Sequence, residues 1–240
     1  MPINKLLICM IVLVGFSFQA WGEADTSRLQ LGAEYGLSYH EVAGYDKTNN
    51  SRGYIRSLTS PYWKGIWTHR IFRSIAYRLS VKTQLVEFSK LKEGELKKRK
   101  QTFITGEFAL VWQQNPYLQN NIFVRQQERM IYRAQGTAKY EILKRPFVEP
   151  GFQMFWGNRR RIGFLVGMGL QAFAMLPTKS ESIVTSLGYG YGGSVRAGWI
   201  SARGLVTTVK AFYDEGVSPN STIDFKHTEL GYSLTTTYSF

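Results

Sequence analysis

Over most of its length the chain is apolar at every second residue, and this period of two limits the fold more than any other feature. The cleanest run sets Ile162, Phe164, Val166, Met168, Leu170, Ala172, Ala174 and Leu176 against Gly163, Leu165, Gly167, Gly169, Gln171 and Phe173. Leu29, Leu31, Ala33, Tyr35, Leu37 and Tyr39 oppose Gln30, Gly32, Glu34, Gly36, Ser38 and His40 in the same way. Side chains on a strand point alternately to its two faces, so each such run is a strand with one apolar face.

A soluble sandwich also alternates, but these runs exceed the five or six residues usual for its strands. Their lengths suit membrane strands, which need about 9–11 residues. The non-apolar face is rich in Gly and Ser, as in Gly188, Gly190, Gly192, Ser194 and Gly198, which fits a crowded barrel lumen better than a solvated exterior. After residue 22 no segment approaches 18 consecutive apolar residues. A chain that enters hydrocarbon without such a helix must do so as a closed barrel, because open backbone groups have no partner there.

Both ends of the sequence agree with this reading. Residues 1–22 carry Lys5, then an uncharged stretch from Leu6 to Phe18, then Ala20-Trp21-Gly22. That is the pattern of a secretory signal peptide cut after Gly22, or after Ala24. The sole cysteine, Cys9, falls inside it, so disulfides and thiolate chemistry are excluded from the mature chain. At the other end Leu230, Tyr232, Leu234, Thr236, Tyr238 and Phe240 alternate with Glu229, Gly231, Ser233, Thr235, Thr237 and Ser239 up to the last residue. Tyr238 and the terminal Phe240 resemble the C-terminal signature of bacterial outer-membrane β-barrel proteins, which their assembly machinery reads. The resemblance implies an outer-membrane location reached through the periplasm, and an architecture without a specific subfamily.

The expected fold is therefore all-β: one antiparallel transmembrane β-barrel over residues 23–240. Turn signals divide it into ten strands at 28–42, 53–70, 73–90, 99–113, 121–134, 138–156, 161–176, 184–200, 203–213 and 228–240. Eight or twelve strands are the alternatives, because Arg125, Gln126, Gln127, Glu128 and Arg129 interrupt the alternation and Pro146 and Pro150 resist ladder pairing. An even count puts both termini on the periplasmic side, with short turns there and longer external loops at 44–52, 90–98, 177–183 and 214–227. Tyr35, Tyr39, Tyr62, Trp63, Trp67, Trp112, Trp156, Trp199 and Tyr213 fall near strand ends, where interfacial girdles would lie.

The whole chain has a formal charge of +13, and loss of Lys5 with the signal peptide leaves +12. A secreted barrel does not meet nucleic acid, so the cations need another explanation. Lys90, Lys92, Lys97, Lys98, Arg99 and Lys100 form a basic external loop suited to the phosphates of lipopolysaccharide. Arg78, Lys82, Arg125, Arg129, Arg196 and Lys210 are expected in the lumen, paired with Glu34, Glu107 and Glu229 and with Glu141 and Glu149 as further partners, so that charge pairs plug the barrel. The expected function is a monomeric surface-interacting barrel whose partners are outer-membrane lipid, lipopolysaccharide and the assembly machinery. Two alternatives stand beside it. One is a small anion-favouring pore; the other is a hydrolase with His40, Glu41, Asp214 and His227 at the external rim. The chain lacks a phosphate-binding glycine loop and a His-Glu-x-x-His motif, so neither a cofactor nor a metal is expected and catalysis is the weaker reading.

Overall fold

The computed structural model describes residues 28–240 apart from 49, 73, 90–94, 98, 116, 135–138, 158–162 and 181–182. The signal peptide expected at 1–22, the loop cations Lys90, Lys92 and Lys98, and the turn arginines 159–161 lie outside the described residues. Among the described residues ten long strands follow one another: β1 (Leu29–Asp46), β2 (Ser51–Arg56 and Ser60–Phe72), β3 (Ile75–Glu87), β4 (Lys100–Asn115) and β5 (Leu118–Ala134). They continue as β6 (Lys139–Gly157), β7 (Gly163–Met175), β8 (Gly188–Ile200), β9 (Leu205–Ser218) and β10 (Ile223–Ser239). Each strand pairs antiparallel with its successor, and β10 pairs with β1 from Gln30↔Ser239 to Asp46↔Ile223, so the sheet closes on itself. The Phe240 amide donates to the Leu29 carbonyl at 2.9 Å, which completes the seam.

At the end carrying both termini β2 ends at Phe72 and β3 starts at Ile75, and among the described residues one turn is seen in full. That turn is Ser201–Gly204: the Gly204 amide donates to the Ser201 carbonyl at 3.2 Å, and Gly204 takes φ of 79°. A type I turn followed by a left-handed residue demands glycine at that position. The turn expected at 114–120 is also tight, because β4 runs to Asn115 and β5 starts at Leu118.

At the opposite, distal end the strands run further than their apolar pattern. The expected loops at 44–52 and 214–227 are mostly ladder: β1 reaches Asp46, β9 reaches Ser218 and β10 starts at Ile223. The strand expected to start at 184 instead begins at Gly188, and Ile183–Val184 pairs with Lys179–Ser180 in a small separate hairpin. Strand β2 bulges where Ser57, Leu58 and Thr59 oppose only two residues of β1, and the Ser57 hydroxyl accepts the His40 amide at 2.8 Å.

The outer face is apolar around the barrel. Leu31, Val81, Ile104, Phe164, Val195 and Val209 all stand exposed, a surface that no soluble monomer presents and that hydrocarbon would cover. Trp112, Trp156, Trp199, Tyr238 and Phe240 gather near the terminal end, and Tyr39, Tyr189, Tyr191 and Tyr213 nearer the distal end. No helix of the described residues is long and apolar enough to cross a membrane. Tyr62, expected in a girdle, is a correction: it lies inside, 1% exposed, while its neighbour Trp63 faces out.

The core is inside the barrel and layered. Val42, Phe88, Phe103, Met130 and Ile142 form one apolar cluster near the distal end. Phe123, Ile131, Phe147, Phe173 and Phe225 form a second. Each includes residues from the long β5–β6 hairpin, and β5 also approaches β1 and β10. A charged layer lies on the terminal side of the first cluster and is flanked by the second, which has Phe147 and Phe225 on its distal side and Ala109 and Phe123 on its terminal side; beyond it lies a cavity.

Candidate functional site

The charged layer is built by strand parity. Residues four apart on a strand share a face, so Arg125 and Arg129 of β5 both point inward, with Gln126 and Glu128 turned out. Glu149 of β6 receives Arg125 Nη2 at 2.6 Å and Arg129 Nε at 2.7 Å. Asp214 of β9 pairs with Arg129 Nη1 at 2.8 Å and Arg125 Nη2 at 3.2 Å, and accepts Gln171 Nε2 of β7 at 2.7 Å. Two arginines thus meet two carboxylates, tying β5 and β6 to β9 across the lumen. Phe173 closes the group, its ring centroid 4.6 Å from the Arg125 guanidinium carbon. Glu149 and Arg129 are essentially inaccessible, and charge burial of this kind is tolerated only with complete pairing.

Three more pairs complete the layer. Lys82 of β3 bonds Glu229 of β10, and its ammonium lies 4.4 Å from the centroid of the Tyr62 ring. Lys210 and the Tyr62 hydroxyl both donate to Glu34 Oε1, each at 2.7 Å. Arg78 reaches Glu107 at 3.0 Å. The residues expected in the lumen are there, apart from Glu141, of which only the backbone is described, and the Arg196 guanidinium carbon stands 3.3 Å from the Phe155 ring centroid. Sequence reading set Asp214 at the rim and counted Glu149 among the carboxylates that could pair with the lumen cations. The alternation of β9 was the available sign for Asp214, since Thr208, Lys210 and Asp214 share a face.

The rim histidines do meet, but not at the rim. His40 Nδ1 lies 3.1 Å from His227 Nε2, and both rings are 3% exposed. His40 Nε2 sits 3.2 Å from Gln84 Oε1 and 3.2 Å from Ser38 Oγ. The adjoining void is about 10 Å³, room for about one water and no substrate. Asp214 is engaged by the arginines, and Glu41 faces outward to Arg56 at 3.0 Å, so the four candidates do not assemble into one site. Among the described residues no group of three or more His, Cys, Asp or Glu side chains is placed to hold a metal ion.

Glu41–Arg56 belongs to an outer set of ion pairs around the distal end. Glu87 meets Lys100 at 3.2 Å, Glu128 meets Lys144 at 3.1 Å, Glu215 meets Lys226 at 2.8 Å and Asp224 meets Lys47 at 2.8 Å. Of the basic loop, Arg99 also bonds the Phe88 carbonyl at 3.2 Å, and Lys97 ends the short strand Glu95–Lys97, which runs parallel to Lys139–Glu141.

On the terminal side of the charged layer the lumen opens into a cavity of about 890 Å³. Its lining runs from Arg28, Ser201 and Ser239 at the mouth to Tyr62, Lys82, Asp214 and Glu229 at the closed end.

No protein-family model matches the chain, and no curated protein matches it in sequence. Among solved structures it is similar to the outer membrane protease OmpT from Escherichia coli, with a TM-score of 0.52 and 8% identity over 91% of this chain and 99% of that one. It is also similar to the translocator domain of the autotransporter NalP from Neisseria meningitidis, with a TM-score of 0.44 and 8% identity over 99% of this chain and 95% of that one. An outer membrane channel from Pseudomonas putida F1 matches with a TM-score of 0.45 and 12% identity, over 92% of this chain and all of that one. The likeness is one of fold: like these outer-membrane proteins the chain is a closed β-barrel, built of ten antiparallel strands, with both termini at the end bearing the short turns.

Proposed function

We propose that the barrel is sealed by its own side chains and works through its surfaces, not as a through-pore. The observation that carries this reading is the bridge from Arg125 and Arg129 through Glu149 to Asp214, because it joins strands on opposite sides of the lumen with pairs of 2.6–3.2 Å. The first apolar cluster, with Phe147 and Phe225 of the second, lies over the charged layer on its distal side.

The working surface is then the distal end. Its ring of outward ion pairs, with Arg99 and Lys100 of the basic loop, suits the phosphate-rich headgroup layer of lipopolysaccharide. Tyr238 and Phe240, in the seam with β1, fit the role of the assembly signal. A small anion-favouring pore is the second reading, favoured by the excess of cations in the cavity.

Planar-bilayer recording separates the two. The purified wild-type barrel is expected to give no conductance steps, and Arg129→Ala/Asp214→Ala, which cuts the bridge, is expected to give steps that prefer anions. Steps from the wild type would replace the sealed barrel by the pore.

A further inference from the structure

The cavity on the terminal side has a chemistry that plugging alone does not require. Eight Lys or Arg side chains line it against four carboxylates. Each carboxylate already has a cation: Glu34 holds Lys210, Glu107 holds Arg78, Glu229 holds Lys82 and Asp214 holds Arg125. Lys64 and Arg70 of β2 are in none of these pairs, and both line the cavity half-buried. Lys64 stands in register between Glu34 on β1 and Lys82 on β3 and acts on Glu34 and Glu107, whose charges Lys210 and Arg78 already meet, so the wall keeps a net positive charge. An ionisable group kept inside a membrane barrel beyond the needs of pairing marks a functional site.

The facing wall is polar and uncharged. Gln119 Nε2 donates to Asn121 Oδ1 at 2.7 Å, and Asn121 Nδ2 donates to Gln153 Oε1 at 2.7 Å. Gln119 Oε1 and Arg78 Nε are buried without a hydrogen-bond partner. The cavity thus offers a charged wall to hold an anion and an amide wall to orient it. Its volume of about 890 Å³ lies within the range of small-molecule sites, about 300–1,000 Å³. Low-dielectric walls of one sign concentrate the field in the cup.

We propose that this half of the lumen is a binding cup for a small multivalent anion bearing two or more carboxylate or phosphate groups, with Lys64 and Arg70 as its main contacts. Access from the periplasmic mouth alone rests on the sealed-barrel reading; binding itself does not. Isothermal titration of the folded barrel in zwitterionic detergent at low salt tests it, with citrate in one arm and pyrophosphate in the other. Saturable one-site binding is expected in at least one arm, and the arm that binds more tightly assigns the chemistry. Lys64→Gln/Arg70→Gln is expected to weaken binding by about tenfold or more, while Lys64→Arg retains it. Heat-modifiable gel migration checks that each variant is folded. Absence of binding in both arms, or equal binding in the folded double-glutamine variant, overturns the proposal. Conductance of the wild type would overturn the sealing and leave the cup standing.

Discussion

Glu149 condenses the chemistry of the interior into one side chain. It is fully buried, accepts from two arginines and has no water-facing alternative. Removing its charge leaves Arg125 and Arg129 with Asp214 alone, and an uncompensated buried charge is among the most costly defects in a fold. Glu149→Gln, nearly equal in volume, is expected to lower the unfolding free energy by about 3–5 kcal/mol, read by urea titration in lipid vesicles. The exposed pair Glu41–Arg56 is the contrast: Glu41→Gln should cost no more than about 1 kcal/mol in the same assay. Inward placement of Arg125 and Arg129 was legible from parity, but their partners were not. Glu149 lies directly opposite Arg125 in the β5–β6 register, which hairpin pairing sets, whereas Asp214 comes from β9 and meets the arginines only once the ring closes.

At the scale of the strand, a period of two is visible only where one face meets lipid. Residues 125–129 look irregular because Gln126 and Glu128 are polar although they point outward. Beyond the apolar belt an outward side chain meets water and headgroups, so the pattern fades while the ladder continues to Ala134. Pro146 and Pro150 have a similar explanation. The β6–β7 ladder begins only at Gly151, so β6 up to Pro150 pairs fully on its β5 side alone. The Val148 carbonyl, on the same edge as the proline nitrogens, turns toward Leu176 at 3.0 Å. The missing N–H groups therefore face an edge without a ladder, where proline is tolerated. Glycine serves close approach at Gly190, where an added Cβ would lie 2.1 Å from the Phe173 ring and 2.5 Å from the Glu215 carbonyl. The lipid face makes a direct test of strand placement. Val209, 59% exposed in the middle of the apolar run of β9, is expected to tolerate no charge. Val209→Arg should cost about 2–4 kcal/mol in vesicle unfolding titrations, the penalty of a cation near the bilayer midplane.

For the whole molecule, closure is what turns ten marginal strands into one object. The β10–β1 seam is continuous from Gln30 to Asp46 and joins segments about 200 residues apart. Truncation after Thr235 removes Thr236, Tyr238 and Phe240 and leaves Leu29–Ala33 unpaired on that side; loss of the compact, heat-modifiable gel species is the expected result. A compact truncated species would show that the seam's terminal half is dispensable. The sequence by itself determined the barrel, its lipid face and the sign of the lumen charge, and favoured ten strands over eight or twelve, because each follows from local alternation and composition that hydrocarbon enforces along every strand. Only the tertiary structure decided the layering: apolar clusters under the β5–β6 hairpin, a bridge of ion pairs, a buried histidine pair and an open cationic cup. Those features depend on which side chains meet across the lumen, and that is set by register and closure of the whole ring, which no single strand encodes.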